Sequence, residues 1–325
     1  MNQKLLWKLV LSVFALVLVF VILFSGLQIL ESTVFYGTGE MPVSVRKTVE
    51  KDGVAYFPRQ DITTILILGV DQTGPVRLSE EPNRGSPVDM IAVMVLDEGA
   101  RNCTILNINR DTMLEMPMLD DRGREAGSFF GQLAYSHTYG HGGADSCENT
   151  RKTVSNFLYG ITLDYYIAMN LDAVPLLNEA VGGVTVQIRD DFSQVDPSLA
   201  MGPVTLQGDQ ALSFVQSRGG VGDELNLSRI RRQKEYMNAF VEAFGEKQKG
   251  SESFLLKTYD LVAPYLVSDL PVSTLSGLME RCGGYTVGEV ISLEGENVLG
   301  EMYYEFYPDA EQLEALILQL FYAPK

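Results

Sequence analysis

ITTILILGV, residues 62–70, is a nearly continuous apolar run. A run of this length and character predicts a strand covered on both faces, as in the sheet of an α/β protein. VDMIAVMVL (88–96) and CTILNI (103–108) have the same character, and the turn-rich DEGARN between them predicts a hairpin. These three stretches predict the centre of a sheet.

The rest of the chain alternates between strand-like and helix-like patterns. Strands are predicted at DYYIAMN (164–170), GGVTVQI (182–188) and GEMYYEFY (300–307). Helices are predicted from a capping box at Asp145–Glu148 to about Tyr159, and at residues 171–181, 208–218, 226–244, 251–282 and 309–321. The pattern predicts an α/β fold with a mixed central β-sheet and helices on both faces.

The N-terminus has a different composition. Lys4 and Lys8 precede LVLSVFALVLVFVILFSGLQIL (9–30), which carries no charge. About 20 apolar residues span a bilayer, and the basic flank predicts residues 1–8 in the cytoplasm with residues 31–325 outside. A cleaved signal peptide is the alternative. The length of the run and the lack of a small-x-small cleavage site favour an uncleaved transmembrane anchor.

After the anchor, residues 31–60 are predicted to form an extracytoplasmic stalk and residues 61–325 the folded domain. The chain has 25 Lys and Arg against 42 Asp and Glu, a formal charge of −17. No basic stripe is present to neutralise a phosphate backbone, so this composition argues against a nucleic-acid partner.

Polar residues follow or precede the central strands. Asp71 follows the first, Arg110 and Asp111 follow the third, and Asp89 opens the second. If the second strand is antiparallel, all four side chains meet at one sheet edge, where α/β proteins bind ligands. Two carboxylates and an arginine suit a hard divalent cation that holds an anionic substrate. The alternative is that each aspartate is a turn or cap residue.

The segment NLSRIRRQKEYM (226–237) concentrates positive charge in this acidic chain. On a helix, Arg229, Arg232 and Gln233 share a face, whereas Arg231 lies about 200° from Arg229 and is expected in solvent. Buried arginines need anionic partners, and Arg218 upstream could join them. A phosphate-bearing ligand or acidic side chains of the protein could supply the anion, and the residues alone leave both open.

The remaining chemistry-bearing residues predict no further site. Cys103, Cys147 and Cys282 are an odd number without a C-x-x-C spacing, which argues against zinc; one disulfide remains an alternative. His137 and His141 are the two histidines. Surface or capping roles are favoured for both over proton transfer.

Together these stretches resemble the LytR-CpsA-Psr family of cell-envelope proteins over residues 62–240. The resemblance lies in the order and spacing of several short motifs. They are LILGVD (66–71), VDMIAVMVL (88–96), NINRDTM (107–113), LAYSHTYG (133–140), TVSNFLYGI (153–161), VGGVTV (181–186), the L-x-G-x-x-A-L-x-F-V-x-S-R segment (206–218) and R-x-x-R-Q (229–233).

The resemblance implies an Mg²⁺-dependent phosphotransferase at the cell membrane. Its substrates would be a polyprenyl-pyrophosphate-linked glycopolymer and a wall acceptor such as peptidoglycan. It implies metal binding by Asp71 and Asp89, and a reaction centre at Arg110 and Asp111. The implied pyrophosphate clamp comprises Arg110, Arg218, Arg229, Arg232 and Gln233.

The chain departs from the family pattern at several positions. Pro87 and Gln216 stand where the family usually has arginines. The segment that usually contains a lysine and an asparagine has Gln132 and His137 instead. Loss of two cations keeps a second hypothesis open, a non-catalytic polyprenyl-pyrophosphate binder or regulator of the same fold. A third is hydrolysis of the same lipid, which would use the same metal and clamp.

Overall fold

The computed structural model describes residues 48–324, apart from 218, 222–225, 250–251, 272–273, 275–276, 279–280, 282–284 and 302. The predicted anchor at 9–30, Arg218 and Cys282 therefore lie outside the described residues. Within the described ranges, none of the helices is both long and apolar enough to cross a membrane.

The three strands predicted at 62–70, 88–96 and 103–108 all form and make up the centre of the sheet. The strands, in chain order, are β1 (Val49–Lys51), β2 (Val54–Pro58), β3 (Ile62–Val70), β4 (Val88–Asp97), β5 (Asn102–Ile108), β6 (Met113–Leu119), β7 (Glu125–Gln132), β8 (Tyr165–Asn170), β9 (Val184–Ile188), β10 (Gly202–Leu206), β11 (Leu266–Ser268), β12 (Thr286–Ser292), β13 (Gly295–Leu299), β14 (Tyr304–Pro308) and β15 (Tyr322–Pro324). The helices are α1 (Ala144–Phe157), α2 (Ala173–Ala180), α3 (Gln210–Gln216), α4 (Asn226–Lys249), α5 (Glu252–Val262) and α6 (Ala310–Phe321), with 3₁₀ turns at Leu133–Thr138 and Ala263–Tyr265.

The central sheet is mixed. In the described chain its order is β11-β8-β3-β4-β5-β12. Strands β3, β4 and β5 are antiparallel neighbours, whereas β8 is parallel to β3 and β12 is parallel to β5. This arrangement confirms the predicted mixed sheet and brings the end of β3, the start of β4 and the end of β5 to the same edge.

The central strands are apolar throughout because each face of the sheet carries its own core. Alternation along β3 sends Ile65 and Ile67 into a core built with α2, α3 and α4. Leu66 and Leu68 enter the other core, with α1 and α6. Helices therefore cover both faces, as predicted.

The folded domain begins earlier than the predicted boundary at residue 61. Strands β1 and β2 lie within the predicted stalk, and β2 pairs with β15 at the far end of the chain. Lys51 Nζ also contacts Glu314 Oε2 of α6 at 2.9 Å. A pairing partner more than 260 residues away explains why the local sequence gave no sign of it.

Two local predictions differ from the structure. The capping box is wrong: α1 is preceded by Gly143, and Asp145 inside the first turn accepts hydrogen bonds from His141. The helical stretch predicted over 251–282 is confirmed only in part. Helix α5 ends at Val262, because Pro264 supplies no helical N–H, and Leu266–Ser268 pairs with β8 as an edge strand.

Candidate active site

The site lies where β3, β4 and β5 meet at one edge. Asp71, directly after β3, donates its backbone N–H to the carbonyl of Pro87 at 2.9 Å, just before β4 begins. Ile91 of β4 is opposite Ile108, the last residue of β5. The antiparallel hairpins thus bring Asp71, Asp89 and the Arg110–Asp111 turn to this edge, as the sequence predicts.

Asp89 occupies a β-bulge. Gly69 pairs with Met90 and Val70 pairs with Val88, so Asp89 is the extra residue on β4. A bulge breaks the in–out alternation and re-aims a side chain, which is why bulges are common beside active sites. Here the buried carboxylate of Asp89 forms an ion pair with Arg110 Nη1 and lies 3.7 Å from Arg229 Nη1.

Arg110 lies between two carboxylates. Its Nη1 contacts Asp89, and its Nε lies 3.6 Å from Asp111 Oδ1. The backbone N–H of Asp111 donates to Asn109 Oδ1 at 3.0 Å, which shapes the turn after β5. Asp111 is 2% exposed, so its carboxylate is enclosed, whereas part of the Arg110 side chain remains accessible.

Asp71 is the exposed carboxylate of the edge. Its Oδ1 accepts a hydrogen bond of 2.9 Å from Nε2 of Gln216, the last residue of α3. The family resemblance predicts an arginine at position 216. A neutral amide orients the Asp71 carboxylate without neutralising its charge, so the oxygens keep their full attraction for a cation.

The two arginines predicted to share a face of α4 are both buried, Arg229 at 4% and Arg232 at 2% exposed. Their partners differ. Arg229 reaches Asp89, as described above. Arg232 Nη1 binds Asp190 Oδ2 at 2.9 Å, Nε donates to the Phe214 carbonyl at 2.9 Å, and Nη2 donates to the Ser217 carbonyl.

Arg232 is therefore engaged by the protein itself. Its guanidinium also lies over the ring of Phe192, with Cζ 5.4 Å from the ring centroid. Arg231 is half exposed, as expected, but its Nη2 binds the other oxygen of Asp190 at 2.5 Å. Gln233 Nε2 donates to the Val215 carbonyl at 3.1 Å. The contacts of Arg232 and Gln233 fix the end of α3 against α4.

Asp190 is the carboxylate that sequence reasoning missed in this cluster. Burial opposes its ionisation, but hydrogen bonds from Arg231 and Arg232 outweigh burial and hold the pKa of Asp190 below its usual range. Acidic side chains of the protein thus satisfy Arg232, which was one of the two alternatives left open by the sequence.

The chain matches proteins already grouped by sequence. The sequence model of the LytR_cpsA_psr family matches residues 38–320, most of the chain. The protein belongs to the LytR_cpsA_psr family. The match extends on both sides of the 62–240 range from which the resemblance was inferred.

Individual relatives agree with this membership. A Halalkalibacterium halodurans protein named polyisoprenyl-teichoic acid–peptidoglycan teichoic acid transferase TagU is 29% identical over 296 residues, 87% of each chain. The structure of TagT bound to LI-WTA matches with a TM-score of 0.59 at 24% identity, covering 85% of this chain and 94% of that one. A Streptococcus agalactiae protein gives a TM-score of 0.64 at 20% identity, covering 80% and 86%. The two structures show a common fold.

The charges at the edge decide whether it can hold an anion. Asp71, Asp89 and Asp111 are three carboxylates, and Arg110 and Arg229 are the two guanidinium groups beside them. Among the described residues the edge therefore carries one net negative charge. Arg218, which the resemblance assigns to the clamp, lies outside the described residues and is not counted. Without a further cation, this family member has no positive excess here for a phosphate-bearing ligand.

The donor set of the edge fits Mg²⁺. In the part of the chain that the structure describes, no group of three or more His, Cys, Asp or Glu side chains could hold a metal. Mg²⁺ does not need one, since it keeps several waters and is usually held by one or two carboxylates together with substrate phosphates. The family resemblance assigns that contribution to Asp71 and Asp89, which both lie at this edge.

Histidine and cysteine support the fold around the edge. His137 Nδ1 donates to the Ser86 carbonyl at 2.9 Å, three residues before Asp89, and burial lowers the pKa of His137, which favours the neutral ring. Cys103 and Cys147 belong to cores on opposite faces of the sheet. A disulfide between these two cysteines is therefore excluded.

The structure also shows contacts of Gln132 that the sequence did not predict. Gln132, the last residue of β7, donates from Nε2 to Asp111 Oδ1 at 3.0 Å and to the Tyr304 carbonyl at 2.8 Å. The backbone N–H of Phe306 donates to the Asp111 carbonyl at 2.9 Å. Strand β14, which lies beyond the 62–240 range of the resemblance, thus contacts the turn after β5 directly.

Proposed function

We propose that this protein is a membrane-anchored, extracytoplasmic enzyme that transfers a glycopolymer to a cell-wall acceptor such as peptidoglycan. The donor is a polyprenyl-pyrophosphate-linked glycopolymer, and the reaction requires Mg²⁺. Family membership and the teichoic acid transferase relative support a glycopolymer transferase role. The apolar run at 9–30 supports the anchor, and the lysines before it support a cytoplasmic N-terminus.

The charge balance of the edge carries the proposal. A pyrophosphate diester is a dianion, and the described edge, with three carboxylates and two arginines, has no positive excess to attract it. Asp71 and Asp89 would hold a divalent cation, which would give the edge a net positive charge. When bound, the Mg²⁺ neutralises charge on the phosphates and polarises a phosphoryl oxygen.

The residues then have separate tasks. Arg110 and Arg229 contact the pyrophosphate oxygens, where guanidinium groups stabilise the charge of a phosphoryl-transfer transition state. Asp111 is enclosed, so it acts on the reaction centre by holding Arg110. Arg232 and Gln233 act indirectly, by fixing α3 and therefore the amide of Gln216 against Asp71.

The reaction balances as a phosphodiester exchange. A hydroxyl oxygen of the acceptor attacks the phosphorus that bears the glycopolymer, and the bond from that phosphorus to the bridging oxygen breaks. The glycopolymer remains attached through a new phosphodiester. Polyprenyl phosphate leaves, and the proton of the hydroxyl ends on the released phosphate.

A second candidate is a non-catalytic polyprenyl-pyrophosphate binder or regulator. It is favoured by Gln216 and Pro87 at two usual arginine positions, and by the engagement of Arg232 with Asp190, all of which reduce the cations available to a transition state. Binding alone needs the metal and the ground-state contacts, whereas transfer also needs stabilisation of the charge that develops during reaction.

One assay separates the two candidates. The purified protein is incubated with Mg²⁺, a radiolabelled polyprenyl-pyrophosphate glycopolymer and peptidoglycan, and label in the washed peptidoglycan is counted. Transfer by the wild type that falls at least 100-fold in Arg110→Met supports the enzyme. Lipid binding with no label above a protein-free control supports the binder. Release of free glycopolymer phosphate instead would indicate hydrolysis.

A further inference from the structure

Gln132 occupies a buried position between the Arg110–Asp111 turn and strand β14. Its Nε2 carries two hydrogens, and both are used: one bonds Asp111 Oδ1 at 3.0 Å and the other bonds the Tyr304 carbonyl at 2.8 Å. The amide cannot rotate by 180° without losing both bonds, so its orientation is fixed.

The surrounding backbone is built around the same contact. Phe306 N–H donates to the Asp111 carbonyl at 2.9 Å, and Thr112 forms an isolated bridge with Phe306. On the other side, Ala134 N–H donates to the Arg110 carbonyl at 2.9 Å, two residues after Gln132. Strand β14 and the 3₁₀ turn that follows β7 therefore hold the turn from both sides, and the side chain of Gln132, at the end of β7, bonds both Asp111 and β14.

Because Arg110 Nε lies 3.6 Å from the same Asp111 oxygen, the position of this carboxylate also affects Arg110. We infer that Gln132 is a positioning residue, which fixes the Asp111 carboxylate and through it the guanidinium of Arg110 for pyrophosphate. The inference rests on the proposed function of this edge. Outer partners of this kind typically change affinity or activity about 10- to 100-fold when they are removed.

Two variants of similar size test the hydrogen bonds rather than the volume. Gln132→Met keeps the length but has no donor. Gln132→Glu has no donor when ionised, but a protonated glutamic acid can donate to Asp111, and two carboxyl groups in contact readily share a proton. The charged groups described around this position are Asp111 and Arg110, with Asp89 and Arg229 beyond Arg110.

The measurement is the affinity for inorganic pyrophosphate with Mg²⁺, by calorimetry, from about pH 5 to pH 8. We expect Gln132→Met to bind about tenfold more weakly than the wild type at every pH. Gln132→Glu should bind at least as weakly as Gln132→Met at pH 8, because the ionised glutamate adds a negative charge to the edge, and should approach the wild type as the pH falls. Gln312→Met is the matched control: it removes an α6 side-chain amide whose oxygen accepts a hydrogen bond from the Glu294 backbone N–H, and it should retain wild-type affinity.

Each outcome has a defined meaning. Parallel pH profiles for Gln132→Met and Gln132→Glu, or wild-type affinity in both, would overturn the inference. Losses of pyrophosphate affinity that are fully explained by a lower melting temperature of the variants would also overturn it. Binding without glycopolymer transfer would refute the proposed reaction and leave the inference standing. A wild type that binds no pyrophosphate at any Mg²⁺ concentration would overturn both.

Discussion

Three neighbouring arginines of α4 have the same charge but different surroundings, and the structure predicts a different result for each. Arg229 contacts Asp89 at the site, and Arg232 is held by Asp190 and two backbone carbonyls. Arg231 also forms an ion pair with Asp190, but its side chain is half exposed to solvent. The perturbation is replacement of each one by methionine, which keeps most of the stem and removes the charge. Melting temperature and affinity for Mg²⁺-pyrophosphate are measured for each variant.

The expected loss of stability is largest for Arg232→Met. The change leaves the Phe214 and Ser217 carbonyls without this donor and removes one of two cations from Asp190. Breaking a buried ion pair costs about 3–5 kcal/mol. A domain of this size loses about 2 °C for each kcal/mol. The melting temperature should therefore fall by roughly 6–10 °C.

Arg229→Met and Arg231→Met should differ in their affinity for Mg²⁺-pyrophosphate. Arg229→Met removes a desolvated cation at the edge and should weaken pyrophosphate binding by about 2 kcal/mol or more. Arg231→Met should change binding and stability by less than about 1 kcal/mol, as exposed ion pairs do. Three similar losses of affinity that all fade with salt would refute these assignments, because they would indicate a diffuse basic patch.

Three further predictions follow from particular residues. The pKa of Asp190 is lowered by folding, so the ionised carboxylate stabilises the protein above about pH 4, and this stabilisation is lost as the pH falls through the pKa of the folded state. Acid unfolding should therefore reduce the stability of Arg232→Met less than that of the wild type. Gln216→Arg places a cation beside Asp71, so calorimetry should find that it binds pyrophosphate more tightly than the wild type in EDTA and gains less affinity when Mg²⁺ is added. Affinities equal to those of the wild type would contradict the contact between residue 216 and Asp71. A reporter enzyme that works only outside the cytoplasm should be active when it is fused after Lys325. Activity of only a cytoplasm-specific reporter at the same position would rule out the predicted orientation of the anchor.

The sequence predicted the sheet centre well because β3, β4 and β5 are buried on both faces and therefore apolar along their whole length. The β6–β7 hairpin was missed for the opposite reason. Residues 125–130 of β7 are exposed on successive positions, so they show no alternation of polar and apolar residues. Strands β1 and β2 were placed in the stalk because β2 pairs with β15, at the other end of the chain.

The same limit applies to the site. The ends of the apolar runs located Asp71, Asp89 and Arg110, since strand direction alone brings them to one edge. Helix spacing correctly put Arg232 on a buried face, but spacing cannot name a partner 42 positions away, and Asp190 was missed. Gln132 was noticed only as a departure from the family pattern, because its contact with Tyr304 spans 172 positions.

The central claim is that the edge becomes an anion site only when a divalent cation is bound. Its most direct test is calorimetric titration of a short-chain polyprenyl pyrophosphate into wild type and Asp71→Asn, each in Mg²⁺ and in EDTA. The charge balance predicts that wild type binds at least tenfold more tightly in Mg²⁺, about 1.4 kcal/mol. It also predicts that Asp71→Asn, having lost one negative charge, binds more tightly than wild type in EDTA and gains less from Mg²⁺. Equal wild-type affinities in the two buffers, or weaker binding by Asp71→Asn in EDTA, would contradict it.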